Sequence, residues 1–293
     1  MHKIIVITGP TAVGKTKLSI ELAKKYDGEI INADAVQVYK GLDIGSAKVT
    51  EEEKEGIPHH LLDFKEVTEE YTIYHYQKDC REKIKDIQSR NKTPILVGGT
   101  GLYIKAALYD YKLSEEKSTN TYDNLTNEEL YEELKKLDKD IIIDKDNRRR
   151  LIRAINYYKE NNESINKNKT NKLLYNVIFI GLTTDRQVLY DKINKRVDEM
   201  ISQGLLEEVK SFYDKGIKSK PLLNAIGYRE LYNYLDGNYT KEEAIEKIKQ
   251  NSRHYAKRQY TFFNHQLQVV WFETDYNNFN NTIEKVASYI DSN

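Results

Sequence analysis

The residues with the clearest chemical potential lie at positions 9–16, where the chain reads GPTAVGKT. Glycines let backbone N–H groups converge on phosphate oxygens, Lys15 adds a positive charge, and the Thr16 hydroxyl can ligate Mg²⁺. The β-branched run KIIVIT precedes this stretch and helical spacing follows it, which is the context that a phosphate-binding loop requires. The predicted phosphate site comprises eight consecutive residues: Gly9, Pro10, Thr11, Ala12, Val13, Gly14, Lys15 and Thr16.

A single carboxylate, Asp34, ends the second apolar stretch, EIINAD. Ligands of a doubly wound sheet bind beyond the carboxyl ends of the strands, so we expect Asp34 beside the phosphate loop. There it could position Mg²⁺ through water or accept a proton from a nucleophile. The alternative is a turn or helix-cap carboxylate. Gln37 offers a donor and an acceptor together, which suits recognition of an adenine edge.

The strand PILV is followed by Gly98, Gly99 and Thr100 rather than by an acid. P-loop ATPases usually hold Mg²⁺ with an acidic residue at the end of such a strand. We therefore do not expect an ATPase that couples ATP hydrolysis to mechanical work.

Composition sets wider limits. A chain of 293 residues allows one or two domains with a proper core. Apolar runs are too short to cross a membrane and we expect no signal peptide, while the single cysteine, Cys80, fits a reducing compartment. We therefore expect a cytoplasmic protein without membrane association. The net charge is zero, so any nucleic-acid footprint must be local.

Six apolar runs alternate with helical patterns and predict a parallel sheet covered on both faces. They are KIIVIT, EIINAD, PHHLLDF, TPILVGG, NVIFIGL and VVWFET. The predicted fold class is α/β, a P-loop kinase-like doubly wound sheet with helical insertions. Its core is expected at residues 1–117, 172–184 and 266–293, with helical segments at 118–171 and 185–265. The patterns TNEE at 126–129 and TKEE at 240–243 predict capping boxes that begin helices.

Seven motifs in the same order resemble the bacterial tRNA dimethylallyltransferase family. They are GPTAVGKT, NADAVQVYKGLDIGSAK, GIPHHLLD, ILVGGTGLYIKA, RRRLIRAI, AIGYREL and SRHYAKRQYTFF, and the resemblance runs from residue 4 to about residue 265. The resemblance implies transfer of a dimethylallyl group from dimethylallyl diphosphate to N6 of the adenosine 3′-adjacent to the anticodon in tRNA. It also implies that the phosphate loop holds a prenyl diphosphate with Mg²⁺, and not ATP.

The resemblance also assigns roles to residues. Asp34 would take a proton from the adenine N6 amine or hydrogen-bond it, and Gln37 would help to hold the extruded base. Lys15, Thr16 with its Mg²⁺, and Arg229 would stabilise the departing diphosphate, although Arg229 could equally form an ordinary helix-surface ion pair. Further tRNA contacts are expected at Ala35, Val36 and Thr100, with a helix cap as the alternative for Thr100. Ala35 departs from the family, which mostly has serine there.

Two groups of cations are candidates for contacts with tRNA phosphates. The first is Arg149, Arg150 and Arg153, on one side of a predicted helix. The second is Lys249, Arg253 and Lys257, spaced by four and opposite the apolar series Ile248, Tyr255 and Phe262. Solvated helix surface is the alternative for both groups.

Other functions remain open from the residues alone. A nucleotide or small-molecule kinase would use ATP in the same loop. A prenyltransferase acting on free adenine nucleotides would not need the two cation groups. A non-enzymatic RNA-binding module would leave Asp34 and Lys15 without a task. We expect a monomer that binds the anticodon stem-loop of tRNA and dimethylallyl diphosphate.

Overall fold

The computed structural model describes residues 3–111, 113, 122–166 and 171–293. Within these ranges the helices and strands follow one another as β1 Ile4–Thr8, α1 Lys15–Lys25, β2 Gly28–Asn32, β3 His59–His60, α2 Ile73–Ser89, β4 Thr93–Val97, α3 Gly101–Leu108, α4 Asn127–Leu137, α5 Arg148–Asn161, β5 Val177–Thr183, α6 Arg186–Ser202, α7 Leu205–Tyr213, α8 Lys220–Asn224, α9 Tyr228–Leu235, α10 Lys241–Gln266, β6 Val270–Glu273 and α11 Phe279–Ser292.

The strands form one parallel sheet in the order β3-β2-β4-β1-β5-β6. Central β1 pairs with β4 on one side and with β5 on the other, so that Ile5 lies opposite both Ile95 and Ile178. Every residue of β1 and β2 is buried, as expected for strands covered on both faces. The predicted doubly wound α/β fold is confirmed, and the reversal of strand order beside β1 creates a crevice at the carboxyl ends of the strands.

Both predicted capping boxes begin helices. Thr126 Oγ1 accepts the Glu129 N–H (3.2 Å) at the start of α4, and the Glu129 carboxylate accepts the Thr126 N–H (2.7 Å). Thr240 and Glu243 make the same reciprocal pair at the start of α10, at 3.1 and 2.8 Å. These local patterns satisfy backbone donors that the first turn of a helix leaves unpaired.

The chain divides into two units, Met1–Leu108 with Tyr175–Asn293 and Tyr109–Leu174. The helical segment expected at 118–171 thus corresponds to a unit that begins at Tyr109, and the expected boundary between residues 117 and 118 lies outside the described residues. The segment expected separately at 185–265 belongs to the same unit as the sheet. A physical reason is that α10 packs on the loop after β4, where Gln259 donates to Gly99 O (3.0 Å). In the described part of the chain, every helix is too short or too polar to span a bilayer.

Candidate active site at the carboxyl ends of the strands

The phosphate-binding loop connects β1 to α1, as the motif predicts. Gly9 and Gly14 have φ of +134° and +91°, which other residues rarely adopt. A Cβ at position 9 would lie 2.5 Å from the Leu182 carbonyl oxygen, and one at position 14 would lie 2.6 Å from the Phe279 ring. The two glycines are therefore required both by backbone conformation and by close packing of β5 and α11 against the loop.

The same loop is held from behind by the segment after β6. Thr274 Oγ1 donates to Val13 O (3.0 Å), and the Tyr276 hydroxyl donates to Ala12 O (3.3 Å). These two bonds hold the backbone of the phosphate loop against the segment that follows β6. Sequence reasoning missed these contacts, because a threonine and a tyrosine near the end of a strand carry no distinctive signal.

Lys15 lies in an electrostatically unusual position at the start of α1. Its ammonium donates to Pro10 O (2.5 Å). Burial, and after it the positive charge of Arg196, lowers the pKa of Lys15 to about 7, with Asp34 opposing both effects. Burial and Arg196 destabilise the charged form of Lys15, so an anion that binds beside its ammonium would stabilise that form strongly.

Asp34 lies just beyond β2 in a tight turn. Its N–H donates to Asn32 Oδ1 (3.0 Å), and its Oδ1 accepts the Val36 N–H (2.9 Å). Asp34 therefore is a turn carboxylate, which was the alternative prediction. The turn nevertheless leaves this carboxylate in the lining of the cleft. Asp34 acts electrostatically on Lys15 and Arg196, which places the three charges in one locality.

Thr100 ties the ends of β2 and β4 together. Its hydroxyl accepts the Ala35 N–H (3.1 Å), while its backbone carbonyl accepts the Tyr103 N–H (2.9 Å) at the start of α3. Thr100 thus occupies the position before the helix, but its side chain serves the Asp34 turn rather than the helix. Gly98 allows this close approach, since a Cβ there would lie 2.2 Å from Ala33 O.

Gln37 also lines the cleft, with its amide group already engaged. Its Nε2 donates to Ser46 O (3.0 Å) and to Ala47 O (3.2 Å). An amide nitrogen carries two hydrogens, so these bonds use its donor capacity. The predicted bidentate contact with an adenine edge is thereby reduced in this conformation to the acceptor Oε1.

Two of the arginines that line the cleft, Arg229 and Arg196, differ in their surroundings. Arg229 Nη2 donates to Glu230 Oε1 (2.6 Å), so the predicted ion pair exists, and Arg229 still borders the cleft. Arg196 of α6 lies among the cleft residues as well, where burial lowers its pKa and Asp34 raises it. Sequence reasoning missed Arg196. The signal was its position three residues after Ile193, a cation on the apolar face of a helix.

The cation series of α10 is largely occupied by intramolecular contacts. Lys249 Nζ pairs with Asp198 (2.8 Å) on α6 and with Glu246 (3.3 Å). Arg253 Nη1 donates to Asn194 Oδ1 (2.5 Å), also on α6. Lys257 is exposed. Two of the three predicted cations of α10 thus contact side chains of α6, and Lys249 also pairs with Glu246 of α10 itself.

The arginine group of α5 belongs to the Tyr109–Leu174 unit. Arg149 and Arg150 are exposed, while the Arg153 guanidinium lies 6.0 Å from the Tyr111 ring centroid. Arg148, which sequence analysis left out of the group, donates to the backbone carbonyls of Tyr122 (2.6 Å) and Leu125 (2.5 Å).

One cleft in the larger unit, with a volume of about 880 Å³, brings together Lys15, Thr16, Asp34, Gln37, Thr100 and Arg229, with Thr11, Ala12, Gly14, Ala35 and Val36 also in its lining. The other predicted site residues of this unit lie outside the lining: Gly9, Pro10, Val13, Lys249, Arg253 and Lys257. Its lining includes phosphate-loop residues, the turn after β2, the loop after β4, and parts of α6, α9 and α10. Charged and polar residues in the lining include Lys15, Thr16, Asp34, Gln37, Thr100, Arg196, Arg229, Tyr255 and Arg258, together with Glu21, Glu53 and Glu55. A cationic pocket beside a fixed carboxylate can bind a diphosphate and accept a proton in the same space.

Comparisons with known proteins indicate the family. Residues 37–266 match the family model described as IPP transferase. The chain is 50% identical to the tRNA dimethylallyltransferase of Anoxybacillus flavithermus, over 99% of this chain and 96% of that protein. It is 49% identical to the enzyme of the same name from Geobacillus thermodenitrificans, with the same coverage.

Solved structures give the same result. The tRNA delta(2)-isopentenylpyrophosphate transferase of Staphylococcus epidermidis aligns with a TM-score of 0.77 and 39% identity, covering 100% of this chain and 99% of that one. A eukaryotic dimethylallyltransferase acting on tRNA aligns with a TM-score of 0.90 and 30% identity, covering 100% of this chain and 79% of that one. The chain therefore belongs to the tRNA dimethylallyltransferase family.

Proposed function

We propose that the protein transfers a dimethylallyl group from dimethylallyl diphosphate to N6 of the adenosine 3′-adjacent to the anticodon in tRNA. The carbon–oxygen bond of the donor breaks, its electron pair leaves with the diphosphate, and a bond forms between the allylic carbon and N6. The observation that carries this proposal is the position of Asp34 in one cleft with Lys15 and Arg196. Membership of the family supports it.

The phosphate loop holds the diphosphate of the donor. Backbone N–H groups at the start of α1 and the Lys15 ammonium meet its oxygens, and Arg196 reaches it from α6. Negative charge grows on the diphosphate as it departs, so preorganised cations stabilise the transition state more than the ground state. Arg229 contributes from the edge of the cleft, where Glu230 keeps its guanidinium oriented.

Asp34 serves the nucleophile. Its Oδ1 is anchored by the Val36 N–H, so the carboxylate has a fixed direction at the mouth of the phosphate site. It accepts a proton from N6 as the new carbon–nitrogen bond forms. Gln37 holds the extruded base through Oε1, and the cost of unstacking the base, on the order of a few kcal/mol, is smallest in a loop.

Mg²⁺ fits the donor set at this site. Thr16 is exposed beside Lys15 at the cleft, and Mg²⁺ commonly uses few protein ligands together with substrate phosphates and waters. Among the described residues no cluster of three or more His, Cys, Asp or Glu side chains could hold a metal ion, which agrees with a metal bound largely by the diphosphate. Thr16 would hold the ion, which neutralises charge on the leaving group when bound.

The partners follow from this chemistry. Dimethylallyl diphosphate and the anticodon stem-loop of tRNA are the substrates, with exposed Arg149, Arg150 and Lys257 as candidate phosphate contacts. Arg153, Lys249 and Arg253 are further candidates, and each of them contacts a neighbouring side chain. We propose that the protein acts as a monomer in the cytoplasm, where tRNA is found.

Ligand-dependent stability separates this proposal from an ATP-dependent kinase. With Mg²⁺ and dimethylallyl diphosphate at about one hundred times Kd, stability should rise by about 2.7 kcal/mol. ATP at the same concentration should stabilise the protein far less, and Lys15→Met should remove the stabilisation by the donor. A larger effect of ATP, together with phosphoryl transfer, would favour the kinase instead.

A further inference from the structure

One carboxylate on α7 collects hydrogen bonds from a distant loop. Glu208 Oε2 accepts the N–H groups of Asp43 (3.0 Å) and Ile44 (2.8 Å). Its Oε1 accepts the N–H of Gly45 (3.1 Å) and the hydroxyl of Tyr228 (2.5 Å). Three consecutive backbone N–H groups around one anion form a nest, and bonds to an ionised acceptor are among the strongest hydrogen bonds in proteins.

Packing reinforces these bonds. The Tyr228 side chain is fully buried, and a Cβ at position 45 would lie 2.5 Å from its ring. Gly45 therefore has to be glycine for the loop to lie against α9 at this distance. The segment 43–45 is held on one side by a tyrosine ring and on the other by the Glu208 carboxylate.

The residues that follow this nest hold the amide of Gln37. Ser46 O and Ala47 O are the two acceptors of Gln37 Nε2, at 3.0 and 3.2 Å. They come directly after Gly45 in the chain. The position of the loop thus decides where the two carbonyls lie, and the carbonyls decide how the Gln37 amide is turned in the cleft.

We propose that Glu208 is a positioning residue for the acceptor base. It fixes residues 43–47, and through Ser46 and Ala47 it turns Gln37 so that Oε1 faces the extruded adenine. The inference rests on the proposed function, in which Gln37 holds that base. Glu208 itself contacts neither substrate.

A second anchor keeps the loop folded without Glu208. Lys48 Nζ donates to Tyr39 O (2.8 Å) and pairs with Asp43 Oδ1 (2.7 Å) and Asp63 Oδ1 (2.5 Å). Its side chain is only 7% exposed. Loss of the Glu208 nest should therefore displace the loop rather than unfold it, and the effect should be on substrate binding.

The variant Glu208→Gln tests this arrangement. A carboxamide replaces one acceptor oxygen by a donor, so either the Asp43 and Ile44 N–H groups or the Gly45 N–H would face an NH₂ group. The matched control is Glu207→Gln, the same change one residue earlier on α7, at an exposed side chain. Circular dichroism and thermal melting of both variants report on the fold.

Steady-state kinetics should separate the two variants. Glu208→Gln should lower kcat/KM for tRNA by about tenfold, mainly through a higher KM for tRNA, as expected when a charge-assisted hydrogen bond is lost. The KM for dimethylallyl diphosphate should not change. Glu207→Gln should match the wild type in both. Gln37→Ala should lower kcat/KM for tRNA at least as much, and the double variant Gln37→Ala/Glu208→Gln should be no worse than Gln37→Ala alone.

The outcomes separate the proposed contact of Gln37 with the base from the proposed positioning role of Glu208. Wild-type kinetics for Gln37→Ala would refute the proposed contact with the base and this inference with it. An impaired Gln37→Ala with an unimpaired Glu208→Gln would overturn only the role of Glu208, as would losses that multiply in the double variant. If Glu208→Gln does not fold, Tyr228→Phe removes one donor and keeps the ring. A raised KM for tRNA would then support the inference, and unchanged kinetics would overturn it.

Discussion

Lys15 should take up a proton when a diphosphate binds. Burial and the Arg196 charge lower the pKa of Lys15 to about 7 in the free protein. A diphosphate beside Nζ should return the pKa towards the ordinary lysine value of about 10.4. A lysine with a pKa of about 7 holds about 0.9 of a proton at pH 6 and about 0.1 at pH 8. Proton uptake by Lys15 on binding should therefore rise from about 0.1 at pH 6 to about 0.9 at pH 8, and affinity should fall as pH rises through this window.

Calorimetry can measure this uptake directly. Inorganic diphosphate is titrated into the protein at fixed Mg²⁺ concentration, at pH 6, 7 and 8, in two buffers that differ in ionisation enthalpy. Lys15→Arg is the control, because its charge does not titrate in this range, so the ionisation of diphosphate itself cancels in the difference. The excess uptake of the wild type over Lys15→Arg should follow the values above. Equal uptake by both proteins at all three pH values would refute the reasoning.

Three further variants test separate parts of the site. Asp34→Asn keeps an oxygen for the Val36 N–H but not the proton acceptor, so single-turnover rates should fall by about 10² or more with unchanged tRNA affinity; a wild-type rate would exclude Asp34 as the base. Arg196→Ala should raise the KM for dimethylallyl diphosphate and lower kcat, together by about tenfold or more in kcat/KM; unchanged donor kinetics would remove Arg196 from the diphosphate site. Lys257→Ala should reduce the slope of log tRNA affinity against log salt by roughly 0.7 to 0.9. Lys249→Ala should reduce this slope less, because Lys249 pairs with a carboxylate of α6. Equal slopes for Lys257→Ala and the wild type would mean that Lys257 is only solvated surface.

The parts of the fold that the sequence predicts well are those set by short-range rules. All six strands lie at the predicted apolar runs, although the third comprises only His59–His60, and both capping boxes begin helices at the threonine that the pattern specified. The phosphate loop follows β1, and its glycines Gly9 and Gly14 have positive φ. In each case the physical cause lies within a few residues, in backbone sterics or in a reciprocal pair of hydrogen bonds.

Features that depend on contacts between distant segments could not be predicted. Arg196, Glu208 and Thr274 reach the site region from α6, α7 and the end of β6. Each of these residue types is common on helix surfaces or at strand ends. Its presence in the sequence therefore does not indicate a functional role before the fold brings it to the cleft or the loop. For the same reason the sequence of α10 suggested an unpaired cation series, although Asp198 and Asn194 of α6 engage two of its members.

Gln37 and Thr100 show how a residue can be located correctly and its contacts still be missed. Both line the cleft, as their strand-end positions predict. The Gln37 amide nitrogen bonds to two backbone carbonyls, and the Thr100 hydroxyl accepts the Ala35 N–H instead of capping α3. Strand-end position decides which edge of the sheet a side chain occupies, whereas its hydrogen-bond partners depend on how neighbouring loops fold.

The most direct test of the central claim is to identify the product on the nucleoside. The wild-type protein is incubated with Mg²⁺, labelled dimethylallyl diphosphate and bulk tRNA that lacks this modification, and the tRNA is digested to nucleosides. We expect label on adenosine, attached at N6 and mapped to the position 3′-adjacent to the anticodon, with Asp34→Asn as a nearly inactive control. Label absent from tRNA, or present on free adenine nucleotides instead, would contradict the proposed transfer to tRNA.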